Sequence, residues 1–182
     1  MSQRWSPRSF ADKGVDKETL RSLFEAARWS ASSRNEQPWR FVVATQDKPQ
    51  GHSALADVLV PSNRRWAVKA PVLILGIARL DFEYNGKPNG HARYDLGAAV
   101  TSMLVEATAR GLSAHQMAGF DAQKARQTYQ IPENFEPVVV VALGHAGAAE
   151  ALPEELAERE KAPRSRLEQD AIIFEDAFGQ SW

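Results

Sequence analysis

Two apolar runs constrain the fold of this 182-residue chain more than any other feature. Val72-Leu73-Ile74-Leu75-Gly76-Ile77 and Val138-Val139-Val140-Val141-Ala142-Leu143 are continuous, aliphatic and without polar alternation. Pro71 opens the first and Gly144 closes the second. Short unalternating runs between such breakers read as strands covered on both faces. The first reads as the central strand.

The covering elements are also legible. Asp16 is placed as an N-cap, with Val15 and Leu20 as a hydrophobic staple, and Leu20, Leu23, Phe24 and Ala27 recur at helical spacing to about Ser30. The best helix spans residues 93–110. Leu96, Val100, Met103, Leu104 and Ala107 form its stripe, Gly97, Ala98 and Ala99 permit close approach of another backbone, and Gly111 fits its C-terminal cap. Residues 47–60 suggest a short helix broken by Pro61-Ser62-Asn63, and Asp121 caps another that runs to Tyr129. Phe41-Val42-Val43-Ala44 reads as a short buried strand, and residues 112–117 as a further strand that turns at Gly119. Residues 79–92 form a long turn-rich loop, a length often associated with function. A charge-rich stretch at 150–168, with a helix start at Pro153, leads to a strand-like tail at Ala171-Ile172-Ile173-Phe174. That tail is too short to fold alone and is expected to dock on this chain or on a partner. With no repeat or boundary, the reading is one domain, 1–182. Element order by itself suggests a doubly wound parallel sheet.

Composition narrows the function. The 22 Lys+Arg nearly balance 23 Asp+Glu, so no global charge draws the chain to nucleic acid or an anionic membrane. No signal-peptide core and no apolar run of spanning length is present, and the absence of cysteine suits a reducing compartment; a cytoplasmic protein is expected. His52, His91, His115 and His145 show no zinc-site spacing. There is no phosphate-binding loop or nucleophile elbow, and Gly144-His-Ala-Gly147 lacks dinucleotide spacing.

What remains are polar clusters outside the regular elements. Ala31-Ser-Ser-Arg-Asn-Glu-Gln-Pro-Trp39 places hydroxyls, an amide and an aromatic ring where a short turn would suffice, and Pro38 biases Gln37 toward an extended conformation. Arg4 and Arg8 flank Ser6, and Arg164 and Arg166 flank Ser165. Guanidinium forks with small hydroxyls match phosphate oxygens, although the same residues on charge alone read as solvated basic patches.

Five segments together resemble the FMN-dependent nitroreductase family in order and spacing across essentially the whole chain. They are Arg-Trp-Ser-Pro-Arg-Ser-Phe at 4–10, the 31–39 stretch, Asn-Arg-Arg-Trp at 63–66, Met-Ala-Gly-Phe-Asp at 117–121 and Arg-Ser-Arg at 164–166. The 31–39 stretch is the most specific. The resemblance implies an α+β fold with a mixed, largely antiparallel sheet flanked by helices. It also implies a homodimer with FMN sites at its interface, the small-residue helix 93–110 in the dimer core and the C-terminal strand exchanged between subunits.

It implies that Arg4, Trp5, Ser6 and Arg8 meet the FMN phosphate, ribityl chain and pyrimidine edge, with Arg164 and Arg166 closing on the phosphate. Asn63 is implied as an amide near the flavin ring, and Gln116, Met117, Ala118 and Gly119 as the strand end that offers it a backbone N–H. Ala31, Ser32, Ser33 and Asn35 are implied to reach the other subunit's flavin. Ala31 stands in place of a common proline, Ala118 in place of an acidic residue of some members, and Trp66 where some have lysine, offering ring surface instead of a cation. The implied activity is NAD(P)H oxidation with ping-pong hydride transfer to a nitroaromatic, quinone or related acceptor, the chemistry residing in flavin N5 rather than in a side chain. Tyr84, His91 and Tyr94 are candidates for the acceptor pocket. Other readings are another flavin redox activity on the same fold, an FMN-binding storage or regulatory protein, and a flavin-free interaction domain.

Overall fold

The computed structural model describes residues 1–182. In chain order the elements are α1 (Lys17–Arg28), β1 (Trp39–Thr45), α2 (Pro49–Ala56), α3 (Pro61–Ala67), β2 (Val72–Arg79), α4 (Ala92–Ala109), β3 (Ser113–Met117), α5 (Ala122–Thr128), β4 (Phe135–Gly144) and α6 (Glu154–Lys161). The strands form one four-stranded sheet in the order β1-β2-β4-β3, antiparallel throughout. The fold is thus α+β, as the family resemblance implies, with a sheet that within this chain is antiparallel throughout rather than mixed, and not the doubly wound parallel arrangement that element order suggests.

The two apolar runs lie side by side at the sheet's centre, with Val72 opposite Leu143 and Leu75 opposite Val140. Side chains alternate across a strand, so the two faces of β2 feed two separate cores. Leu73, Leu75 and Ile77 pack with Leu55, Val58 and Trp66 from the α2–α3 side. Val72 and Ile74 pack with Leu20 and Leu23 of α1 and with Leu96 and Met103 of α4. β4 begins three residues before its apolar run. Gly76 faces Val139 while Ile77 faces Pro137, and the bulge that skips Val138 accommodates a proline with no ladder N–H to give.

Other boundaries differ for local reasons. The strand expected at 41–44 extends to Trp39–Thr45 and is an edge strand rather than a buried one, with Val43 40% exposed. Pro61 does not merely end a helix; it occupies the first turn of α3, where its missing N–H costs nothing. Asp16 caps α1 as read, its Oδ1 accepting the Thr19 N–H at 2.7 Å, and Asp121 caps α5. The tail forms no strand within the chain. It has a 3-10 turn at Gln169–Ala171 and one bridge between Phe174 and Ser181, and Phe178 is 94% exposed. The outward face of α4, with Tyr94, Gly97, Thr101 and Val105, is likewise exposed. No helix is long and apolar enough to cross a membrane.

His115 of β3 sits at the margin of the first core, its ring 4.6 Å from that of Trp66. Burial holds its imidazole below the ordinary value of 6.5; the Pro7 carbonyl opposes this, Arg8 reinforces it, and Glu160 opposes it more weakly. The unfolded chain therefore takes up this proton first. The contribution of neutral His115 is complete above about pH 6.5 and is lost as pH falls below it toward the folded value. In urea unfolding from about pH 7.5 to 5.5, the stability difference between wild type and His115→Phe should shift in the variant's favour on acidification; a pH-independent difference contradicts the assignment. Leu75→Ala, at a fully buried position, should cost about 2–5 kcal/mol in the same assay at neutral pH.

Candidate functional site

Residues 4–8 form no regular element, and side chains from two distant elements fix them. The Trp5 indole N–H donates to Glu160 Oε1 at 3.1 Å, and the Arg8 backbone N–H donates to both Glu160 oxygens at 3.2 and 3.1 Å. Pro7 O accepts His115 Nδ1–H at 2.9 Å, the tautomer that an acceptor-only carbonyl requires. Past them, Phe10 bridges Ala146, Ala11 N donates to His145 O and Gly147 N donates to Ser9 O. A side chain at Gly147 would lie 2.8 Å from the Phe10 carbonyl carbon, so this glycine serves close backbone packing rather than a nucleotide loop.

On that support the basic residues of both chain ends converge. Arg4 Nη1 donates to Ser6 Oγ at 2.9 Å. Arg164 donates to Arg4 O at 2.5 Å and Ser2 O at 2.6 Å, with its guanidinium 5.4 Å from the Trp5 ring centre. Arg166 bonds only Ser165 O, at 2.6 Å. Arg4, Arg164 and Arg166 line an open cleft of about 820 Å³ with Ser2, Ser165 and Glu168. Neither Arg4 nor Arg166 forms an ion pair, whereas much of the Arg164 fork is committed to the N-terminal backbone. The two arginines of the 164–166 segment therefore differ in role: one is a brace and the other a free cation. Arg8 lies 4.0 Å from Glu160, and its side chain is 28% exposed.

β3 ends in a turn with two unengaged amides. Gly119 O accepts from Val60 N at 3.2 Å and from Asn63 Nδ2 at 3.0 Å, while the N–H groups of Ala118 and Gly119 donate to no other residue. Asn63 is thus brought beside residues 118–119. Gln116 and Ala118 are exposed, and Met117, at 3%, has only its backbone to offer. Trp66 requires a correction. Its ring is 2% exposed, wedged between Phe10 and His115, and presents no surface to a ligand. An indole on the inward face of a short helix fills core volume, whereas a lysine there would reach out.

Residues 31–39 lie elsewhere. Pro38 O accepts Arg79 N at the far end of β2, while Pro71 and Gly144 mark the end nearer the Phe10 bridge. The eight residues of β2 separate these ends by roughly 23 Å. The loop also joins β1, at the opposite sheet edge from β3. It is tightly held: Ser33 N donates to buried Asp95 Oδ2 at 3.1 Å, and Gln37 N donates to Ser32 Oγ at 3.0 Å. Arg34, Asn35 and Gln37 all adopt positive φ, at 55°, 56° and 49°. The extended Gln37 expected from Pro38 is therefore overturned, because the Ser32 hydroxyl captures its N–H and holds a left-handed turn costing of order 1–2 kcal/mol. Ala31, Ser32 and Ser33 line a hollow of about 290 Å³ with His91, Tyr94 and Asp95. Tyr84 stands apart, against Arg34 and Phe82.

Glu160, His115 and Asp95, whose bonds hold these segments in place, are residues that sequence reasoning missed. Glu160 carried one usable signal. It lies four residues after Leu156, the buried anchor of α6, and so shares its inward face.

The sequence model of the nitroreductase family matches residues 1–145. A 15.4 kDa protein of Mycolicibacterium smegmatis is 34% identical over 149 residues, 77% of this chain and 97% of that one. A Xanthomonas oryzae pv. oryzae protein with the provisional name NADH dehydrogenase/NAD(P)H nitroreductase is 28% identical over 163 residues, covering 80% of this chain and 82% of its own. Among solved structures, an oxidoreductase described as containing FMN superposes with a TM-score of 0.92 at 34% identity, over 98% of this chain and 91% of that chain. A nitroreductase family protein of Clostridium difficile 630 shares the fold with a TM-score of 0.75 at 23% identity, over 96% and 95% of the two chains. The chain belongs to the nitroreductase family.

Proposed function

We propose that this protein is an FMN-dependent NAD(P)H oxidoreductase that acts as a homodimer in the cytoplasm and reduces a small nitroaromatic, quinone or related acceptor. The observation that carries the proposal is the convergence of Arg4 and Arg166, from opposite ends of the chain, on one open cleft, with Ser6 bonded to Arg4 behind it. Two guanidinium groups without carboxylate partners suit a phosphate monoester. The free N–H groups of Ala118 and Gly119 suit acceptor atoms on a flavin ring. The donor set therefore fits FMN. Names of relatives support this reading: one solved structure is described as containing FMN, and one relative is provisionally named an NAD(P)H nitroreductase.

FMN, when bound, would supply hydride transfer between the nicotinamide and the acceptor in a ping-pong cycle. The chain's residues bind and orient. Arg4, Ser6, Arg8 and Arg166 hold the anionic end, and Arg164 and Trp5 brace the backbone carrying it. Asn63 fixes residues 116–119 for contact with the ring. Ala31, Ser32, Ser33 and Asn35, too distant to serve their own chain's cleft, face the flavin of a second copy. The exposed face of α4, with Tyr94, Gly97, Thr101 and Val105, and the open edge of β1 supply a dimer surface, and the partner's tail pairs along β1.

Arg4→Ala and Arg166→Ala should each weaken FMN binding by about 1.5–3 kcal/mol in a fluorescence-quenching titration, the scale of a hydrogen bond to a charged group. Unchanged affinity in both removes the phosphate assignment. Steady-state oxidation of NADH or NADPH with menadione or a nitroaromatic tests the activity. A yellow protein that neither nicotinamide reduces would instead be a flavin-binding protein without this turnover.

A further inference from the structure

The carboxylate of Glu160 is buried, its side chain 8% exposed, yet it makes no short ion pair. Burying a carboxylate is costly unless donors satisfy it, and here the donors are the Trp5 indole and the Arg8 amide. Both belong to the segment that carries Arg4, Ser6 and Arg8. Because Glu160 is engaged by an amide and an indole, the Arg8 guanidinium stays 4.0 Å away and partly exposed. Four residues further along, Arg164 reaches back to Ser2 O and Arg4 O, closing a ring of contacts between the two chain ends. Buried Leu156 anchors the helix at the other end of this arm.

We propose that Glu160 is a positioning residue for the phosphate end of the cofactor site: through Trp5 and the Arg8 amide it sets the disposition of Arg4, Ser6 and Arg8, and through α6 it brings Arg166 to the same cleft. This rests on the FMN reading above. It predicts that Glu160 contributes to discrimination for the phosphate, which a staple serving stability alone would not do.

The test measures the affinities of the apoprotein for FMN and for riboflavin, which lacks the phosphate, in wild type, Glu160→Ala, Glu160→Gln and Glu155→Ala. Thermal unfolding of each apoprotein is recorded alongside. Glu155, on the same helix, is exposed and meets only Arg65 and Arg159. Glu160→Ala should weaken FMN by about 10–100-fold and riboflavin much less, so the preference for FMN shrinks. Glu160→Gln retains an oxygen that accepts both donors and should recover most of the loss; Glu155→Ala should match wild type. Should the alanine variant not fold, Trp5→Phe, which removes only the indole donor, should lower the FMN preference several-fold. An FMN preference unchanged by these substitutions, or a glutamine variant that recovers nothing, overturns the inference while leaving the FMN reading intact. Wild-type protein that binds no FMN overturns both.

Discussion

Everything in this fold depends on the pairing of β2 with β4. Each strand is apolar on both faces, so each side of the sheet must be covered, and α1 with α4 and α2 with α3 provide the two layers. Covering the centre leaves only the edges and ends of the sheet for polar chemistry. β3 delivers residues 116–119 at one edge, and β1 receives the 31–39 loop at the other. The arrangement sets two polar surfaces apart on one subunit.

That separation gives the two clusters different physics. The cleft is built from chain ends with little regular structure, so its order comes from specific bonds: Glu160 to Trp5 and Arg8, His115 to Pro7, and Arg164 to Ser2 and Arg4. The 31–39 loop is instead shaped by strain, with three left-handed non-glycine residues offset by Asp95 and Ser32. A loop held so firmly, with Ala31 and Asn35 still exposed, is shaped to present its side chains outward.

How legible was this in the sequence? The helices α4 and α1, with its Asp16 cap, are legible to within a residue or two from their apolar spacing, and β2 from its unbroken apolar run, which ends two residues before the strand does. Edge strand β1 was misjudged because Phe41-Val42-Val43 is apolar in sequence but half-covered in space. Pro61 is ambiguous in principle, since proline both ends helices and starts them. Gln37 departs from the bias set by Pro38 because a side-chain hydrogen bond to Ser32, five residues back in the same loop, outweighs it. The cofactor class came from ordered motifs rather than from periodicity, and the motifs named Arg4, Arg166 and Asn63 without ranking them. Trp66 was misplaced because a motif position says nothing about which way an indole turns. Glu160 was hidden in a run of charges, distinguishable only by its spacing from Leu156.

The central claim is that two copies of this chain together hold FMN. Sedimentation velocity of FMN-loaded protein, followed by both protein and visible flavin absorbance, tests it most directly. The account predicts one boundary at the mass of a dimer, carrying about one flavin per chain. Flavin that sediments with a monomer, or that separates from the protein altogether, would contradict it.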